Sequence, residues 1–349
     1  MRKMALLCIL SIVALALDCV ACAPRATTTP SVAPSALTAT PVPTTKPTTT
    51  PTLVPTPTPT VKPDLALIAR AYPKVDGSTS TQPLHVLIAC KILGLKCAWQ
   101  ETLFSERRFG PDLNERLRPE ANTLFQATQH TGTNTAYLNL INGKADLALV
   151  ARVPSADELQ VAKEKRIELE VRAFALDAFV FMVNIQNPAD DFKVENLRDI
   201  YTGKVTDWAA FGGKGKIMAY QRDRNSGSQE LMEALVMQGA PTIKAPDMIL
   251  PTMLGAVNAI GRDPQGIGYS VFYYVTFMLP DKNVKLVGMN GVKPTSENIA
   301  QRAYSLTTEV YAVTRKDLPR DSTAAMLRDW LFTQEGKAAI AESGYVTIP

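Results

Sequence analysis

Three short clusters of Ser, Thr and Gly carry the chemistry this chain can offer: Asp76-Gly77-Ser78-Thr79-Ser80-Thr81, His130-Thr131-Gly132-Thr133 and Arg222-Asp223-Arg224-Asn225-Ser226-Gly227-Ser228. Each stands immediately before a stretch with helical periodicity. A helix start presents unpaired backbone N–H groups and the positive end of the macrodipole, Gly lets backbone approach a guest, and hydroxyls add donors. Three such starts aimed at one point would build a small, dry socket for an oxyanion. Each cluster alone has a plainer reading, because Thr79-x-x-Gln82 and Ser226-x-x-Gln229 both fit a capping box in which the hydroxyl serves only its own helix. Density argues for a guest. Ser78, Thr79, Ser80 and Thr81 are more hydroxyls than one cap uses, and Gly227 sits where a helix former would serve the helix better.

Charge points the same way. Arg222 and Arg224 lie between a strand expected to end near Gln221 and the helix opening at Ser226, where a guanidinium can clamp an oxyanion with two parallel hydrogen bonds. Arg152 closes the expected strand Ala145–Ala151 and is a third candidate, its alternative being a salt bridge between lobes. The ligand-binding set is therefore Gly77, Ser78, Thr79, Ser80, Thr131, Gly132, Thr133, Arg152, Arg222, Arg224, Ser226, Gly227 and Ser228. His130 reads as a neutral structural cap rather than an anion donor, and Tyr269 as core or hinge packing. Catalysis has little to stand on. The only histidines are His85 and His130, and there is no His-Glu-x-x-His, Gly-x-Ser-x-Gly, Walker-type glycine loop or Cys/His metal spacing. No enzyme, cofactor or metal is expected.

The elements that must hold these loops follow from alternating short apolar runs and amphipathic stretches, the βαβα pattern of an α/β protein. Helices are expected at Leu84–Leu93, Ala156–Arg166, Val194–Tyr201, Ser226–Gln238, Pro251–Ile260 and Thr295–Arg302. Strands are expected at Ala145–Ala151, Lys216–Gln221 and Val284–Val287. The long apolar runs Phe174–Asn184 and Leu306–Thr314 read as two hinge strands, and Ser322–Ser343 as paired helices broken near Gln334-Glu335-Gly336. The organisation is a first lobe over 64–176 and 308–349, with a second lobe, 177–307, inserted into it. The ligand cleft then lies at the strand carboxyl ends, and two crossing strands permit closure.

Ahead of the lobes, Met1-Arg2-Lys3 and the apolar run Met4–Leu17 read as an export signal, 1–22, too short for a confident membrane span. It ends in Cys19-Val20-Ala21-Cys22, a lipobox with Cys22 as the lipidated residue, although Cys19 stands where Leu is usual. Residues 23–63 are nearly all Thr, Pro, Ala, Val and Ser, and read as a tether reaching on the order of 100 Å, either O-glycosylated or a plain spacer. The protein is therefore expected outside the cytoplasm, lipid-anchored to the cell membrane. Net charge is +4 with no basic block, so nucleic acid is not an expected partner, and a monomer is expected. In an oxidising compartment Cys90 and Cys97 remain as an even pair, a short-loop disulfide or two buried thiols.

Several stretches stand in a telling order: Asp76-Gly77-Ser78-Thr79, Gly143-Lys144-Ala145-Asp146-Leu147-Ala148, Ile200 through Trp208, Arg222 through Ser228, Gly266-Ile267-Gly268-Tyr269, and Glu335-Gly336 with Gly344-Tyr345-Val346. With them, from about Tyr72 onward, the chain resembles the phosphate-binding proteins of bacterial ABC importers. The resemblance implies a two-lobed type II periplasmic-binding-protein fold, two mixed sheets flanked by helices and joined by two hinge strands. It also implies ligand contacts from Ser78, Thr79, the Thr131-Gly132-Thr133 turn, Arg222, Ser226, Gly227 and Ser228, and delivery to ABC permease subunits. An anion-sensing or protein-interaction module of the same fold is the alternative, and a phosphoester hydrolase a distant third.

Two departures from the family pattern matter. Phosphate binders of this family carry an Asp after the strand matching Ala145–Ala151, and another two residues beyond the Arg matching Arg222. Here those places read Ala151-Arg152 and Arg224. A buried carboxylate accepts the proton of hydrogen phosphate and repels sulfate. Asp76, Asp177 and Asp223 are the candidates to replace it, and the expected ligand is phosphate, sulfate, another tetrahedral oxyanion or a phosphorylated organic molecule.

Overall fold

The strongest local signal, the apolar run Phe174–Asn184, is buried along its whole length, as a strand covered on both faces must be. The computed structural model describes residues 63–103 and 106–348. The export signal, Cys22 and the Thr/Pro-rich segment lie outside these residues, apart from Pro63. The chain runs through α1 (Leu65–Arg70), β1 (Val75–Gly77), a 3-10 turn at Thr79–Thr81, α2 (Gln82–Leu93), β2 (Cys97–Glu101) and β3 (Arg107–Pro111). Next come α3 (Pro119–Ala127), α4 (Thr133–Ile141), β4 (Leu147–Val150), α5 (Ala156–Glu164) and β5 (Leu169–Asn184). The middle of the chain holds β6 (Asp191–Phe192), α6 (Val194–Tyr201), β7 (Met218–Ala219), β8 (Gln221–Arg222), α7 (Gly227–Met232), β9 (Ile249–Leu250) and α8 (Met253–Arg262). It continues with β10 (Gly266–Val271), β11 (Val284–Leu286), β12 (Gly288–Met289) and α9 (Ser296–Ala300). Last are β13 (Thr307–Arg315), α10 (Thr323–Trp330), α11 (Gln334–Ser343) and β14 (Val346–Thr347).

One strand joins two sets of partners. Residues Leu169–Ala178 of β5 pair antiparallel with β13, which pairs with β4, which in turn runs parallel to β1. From Phe179 onward β5 pairs antiparallel with β10 and β11, and β10 runs parallel to β7. The result is a mixed α/β architecture with β5 threading both halves of its principal sheet, in the order β1-β4-β13-β5-β10-β7. β13 enters at Thr307, opposite Ala178, so both crossings between halves lie at the same level. Phe179, Phe181, Tyr201 and Tyr269 pack ring against ring in the second half, with centroids 5.3–6.2 Å apart. No helix among the described residues is long and apolar enough to cross a membrane.

Cys90 and Cys97 form a disulfide between the end of α2 and the start of β2, across the left-handed Gly94 that stops the helix. Several expected elements differ in extent. The strand read at Lys216–Gln221 is split, with Met218–Ala219 in the main sheet and Gln221–Arg222 paired to β9. The helix read at Ser226–Gln238 is α-helical only to Met232, and Glu233–Met237 form a wider π turn. The break in the terminal helices falls at 331–333, where the Thr333 hydroxyl caps α11. Gly336 lies inside that first turn, where a Cβ would stand 2.1 Å from the Trp330 carbonyl oxygen.

Candidate functional site

Parallel β1 and β4 end side by side, so the residues that follow them meet. Ser78 N–H donates to the Leu149 carbonyl at 3.1 Å, and Ala151 N–H donates to Ser78 Oγ at 2.9 Å. Thr133, the first residue of α4, brings its Oγ1 to 2.7 Å from Ser78 Oγ. From the other half of the sheet, β8 ends at Arg222 and the chain turns into α7 at Ser226-Gly227-Ser228. These loops border one cavity of about 620 Å³. Ser78, Thr79, Ser80, Thr131, Gly132, Thr133, Arg222, Arg224, Ser226, Gly227 and Ser228 all line it, as does His130. A fourth helix start, Thr252-Met253-Leu254 of α8, faces the same space. Its lack of a Ser/Gly cluster left it out of the sequence reading.

The two sides approach closely at one point. A Cβ on Gly227 would stand 2.5 Å from Thr133 Oγ1 and 3.3 Å from Thr133 Cβ, so only glycine lets the start of α7 meet the start of α4. The capping readings divide. Ser226 Oγ does accept from Gln229 N–H at 3.2 Å, while Thr79 lies inside the 3-10 turn rather than at a cap position, and Ser78 and Thr81, which hold those positions, make no side-chain cap bond.

Of the three arginines lining the cavity, Arg108, Arg222 and Arg224, Arg222 is the buried one. It is 8% exposed, and among the described residues no carboxylate lies within ion-pair distance of it. Its Nε donates to the Leu250 carbonyl at 2.9 Å and Nη2 to the Pro251 carbonyl at 3.2 Å, while Nη1 is buried with no hydrogen-bond partner. Burial pulls its pKa down, the mark of a charge held away from water. Tyr269 is core, as read, and its hydroxyl accepts from Arg222 N–H at 3.1 Å while donating to Gln229 Oε1. Arg224 sits at the mouth with its side chain 86% exposed, 3.7 Å from Asp157 at the start of α5.

Two candidates fall outside the lining. The Arg152 guanidinium is buried against the Glu158 carboxylate in a two-pronged pair at 2.7 and 2.8 Å. Its charge is answered there, by a carboxylate six residues further along the chain. Gly77 is enclosed in β1, where a Cβ would meet the Leu149 carbonyl oxygen at 2.1 Å and His85 at 2.4 Å. Its N–H donates to Asp76 and its carbonyl accepts from Gly132.

Asp76 organises this corner without facing the cavity. Its carboxylate accepts from Gly77 N–H, Thr131 N–H, Thr131 Oγ1 and Asn139 Nδ2 at 2.7–3.0 Å, which fills its four acceptor positions and fixes the Thr131 turn. Asp177 lies off the lining, and burial pushes its carboxyl up to about 7. Asp223 lines the cavity but is exposed. Burial and the nearby Arg108 hold His130 below the usual imidazole range. Sequence reasoning missed a further group. Glu106, Arg108 and Tyr274 line the cavity, with Glu106 accepting from the Tyr274 hydroxyl at 2.7 Å and from Arg108 at 3.0 and 3.2 Å. Nothing local joins residues 168 positions apart. Among the described residues no His, Cys, Asp or Glu cluster is arranged to hold a metal.

A lining of hydroxyls, four helix starts and one unpaired guanidinium is built to receive negative charge. The family model of the PBP superfamily domain matches residues 117–335. The chain belongs to the PBP superfamily. Among curated members, the phosphate-binding protein PstS of Staphylococcus saprophyticus is 26% identical over 246 residues, spanning 68% of this chain and 76% of that protein. The phosphate-binding protein PstS of Bacillus subtilis is 28% identical over 177 residues, 49% of this chain and 56% of that one. Among solved structures, an ABC-type phosphate transport receptor from Vibrio cholerae superposes with a TM-score of 0.56 at 24% identity, covering 78% of this chain and 98% of its own. A Clostridium perfringens protein solved with bound phosphate, and assigned as a phosphate ABC transporter substrate-binding protein, gives 0.57 at 21% identity, covering 79% and 98%. These superpositions establish the superfamily's two-lobed fold for this chain.

Proposed function

We propose that this protein captures inorganic phosphate, or a closely similar tetrahedral oxyanion, between its lobes outside the cytoplasm and delivers it to an ABC permease. The observation that carries the reading is Arg222. Its guanidinium is buried, has no acidic partner among the described residues, and keeps one nitrogen without an acceptor in a cavity ringed by helix starts. Holding such a charge out of water with one nitrogen unanswered is costly, and an anion in the cavity would offset that cost. The names of the curated relatives, phosphate-binding proteins, support phosphate as that anion.

The proposed contacts are Ser78, Thr79, Ser80, Thr133, Arg222, Arg224, Ser226, Gly227 and Ser228, with Thr131 and Gly132 shaping the turn beside them. The lobes are 64–176 with 308–349, and 177–307. The strand exchange between Ala178 and Phe179, opposite Thr307, supports crossings close to those limits. Attachment to the membrane is through lipid on Cys22, and the protein binds without catalysing. Micromolar affinity corresponds to about 8 kcal/mol, and charge-assisted hydrogen bonds supply roughly 1.5–3 kcal/mol each. A handful therefore suffices once desolvation and closure are subtracted. Calorimetric titration of the purified protein with phosphate tests the reading directly: saturable one-to-one binding is expected, and no heat at millimolar phosphate would refute it.

A further inference from the structure

We propose that this cavity binds phosphate monoesters of short aliphatic alcohols as well as the free anion, with the ester's carbon chain against an apolar wall beside Arg222, a widening of the ligand class that rests on the oxyanion reading above. The cavity is larger than a tetrahedral anion needs. It measures about 620 Å³, within the ~300–1,000 Å³ of pockets that take drug-sized molecules. At the ~30 Å³ that a water occupies in the liquid, the five non-hydrogen atoms of phosphate need roughly 150 Å³. Most of the space is left for something else.

Besides its hydroxyls, the cavity is lined by Leu231 of α7, Val271 at the end of β10, and Met253 and Leu254 in the first turn of α8. Leu231 and Val271 are buried members of the main core cluster, and the half-buried Met253 and Leu254 pack against it, so the wall is an outcrop of the core. Arg222 ties this wall to the anion. Its Nε and Nη2 donate to the Leu250 and Pro251 carbonyls, and Pro251 stands two residues before Met253, so the chain enters α8 alongside the guanidinium. Ordered water needs two to four polar partners, and these side chains supply none. A carbon chain covers them without leaving a polar group unpaired. A doubly ionised monoester keeps three free oxygens on phosphorus and the charge of hydrogen phosphate, so the guanidinium and the hydroxyls still find their partners. Glu106, the buried carboxylate of the lining, is paired with Arg108, so nothing buried asks the organic group for a charge of its own.

The test is calorimetric titration of the full chain with inorganic phosphate and with methyl, ethyl, propyl and butyl phosphate, at about pH 8.5, where the esters are doubly ionised. Full burial of a methylene tightens binding about fourfold. With part of the wall half-buried, butyl phosphate should bind at least about tenfold tighter than methyl phosphate. Val271→Thr and Leu254→Gln, each checked for folding by thermal melting, should flatten this rise. The comparison is made along the ester series within each variant, so a change in affinity for the anion itself cancels. Leu254→Gln, at a half-buried position, carries the test if Val271→Thr does not fold. Phosphate binding with no ester binding, a series that is flat or falls with chain length, or an unchanged rise in the folded variants overturns the apolar wall while leaving the oxyanion site standing. Binding of neither phosphate nor any ester overturns the site reading, and this proposal with it.

Discussion

Replacing Gly227 with Ala should separate two properties that usually fall together. The added Cβ would lie 2.5 Å from Thr133 Oγ1, short of an ordinary contact of 3.4 Å by 0.9 Å. Thr133 cannot rotate away cheaply. Its Oγ1 is bonded to Ser78 Oγ at 2.7 Å, and its Cβ, which no rotation moves, would be 3.3 Å from the new methyl. The start of α7 must then withdraw by close to that shortfall, which stretches a hydrogen bond of ~2.9 Å to ~3.8 Å, past useful reach. Losing two charge-assisted bonds at the low end of their range costs about 3 kcal/mol, a ~100-fold weaker dissociation constant for phosphate. Without ligand the lobes can part and relieve the overlap, and alanine is no worse a residue than glycine at the start of a helix, so the unliganded protein should melt no lower than before. Calorimetry with phosphate and melting of the free protein read the two effects. Affinity within about threefold of the unaltered protein would refute the inference that α7 and α4 meet over the ligand.

Arg222→Ala should weaken phosphate binding by at least about 2 kcal/mol, and Arg222→Lys should recover only part of the loss, since an ammonium cannot reproduce the planar fork; calorimetry on both variants checks this. Asp177 carries a pH signature in stability rather than in binding. Its carboxyl is raised from 3.8 to about 7 by burial, so the folded state holds the proton more tightly than the unfolded chain. That contribution is full below pH ~4 and disappears as pH rises through ~7, a loss of up to about 4 kcal/mol. Asp177→Asn should flatten the stability profile between these limits in denaturant titrations. Replacing Cys90 and Cys97 together by Ala should cost about 2.5 kcal/mol, the closure entropy of an eight-residue loop, measured as a lower urea midpoint under non-reducing conditions.

Much of the framework is written in local pattern. The charge and apolar spacing of Val194–Tyr201 marks a helix with those very limits, and the apolar runs at Phe174–Asn184 and Leu306–Thr314 become β5 and β13. The gathering of three Ser/Thr/Gly loops around one cavity follows from their places after strand ends and before helices. What local pattern misses is partnership. Arg152 reads as a ligand contact at a strand end or half of a salt bridge between lobes, yet the capping box Ser155-x-x-Glu158 sets a nearby carboxylate where it pairs with that guanidinium. Asp76 reads as a spare acceptor for the ligand, yet Thr131 and Asn139, far along the chain, consume it. Glu106 and Tyr274 belong to different lobes of the proposed organisation and meet only in the fold.

The central claim is that loops from both lobes hold one tetrahedral anion between them. Arsenate shares the geometry of phosphate and scatters anomalously, so a crystal of the protein grown with arsenate places the guest without interpretation of neighbouring density. The account predicts a single strong anomalous peak in the cavity within about 3 Å of donors from Ser78 or Thr79, from Arg222, and from Ser226–Ser228 together. A peak held by one lobe alone, or located away from Arg222, would contradict it.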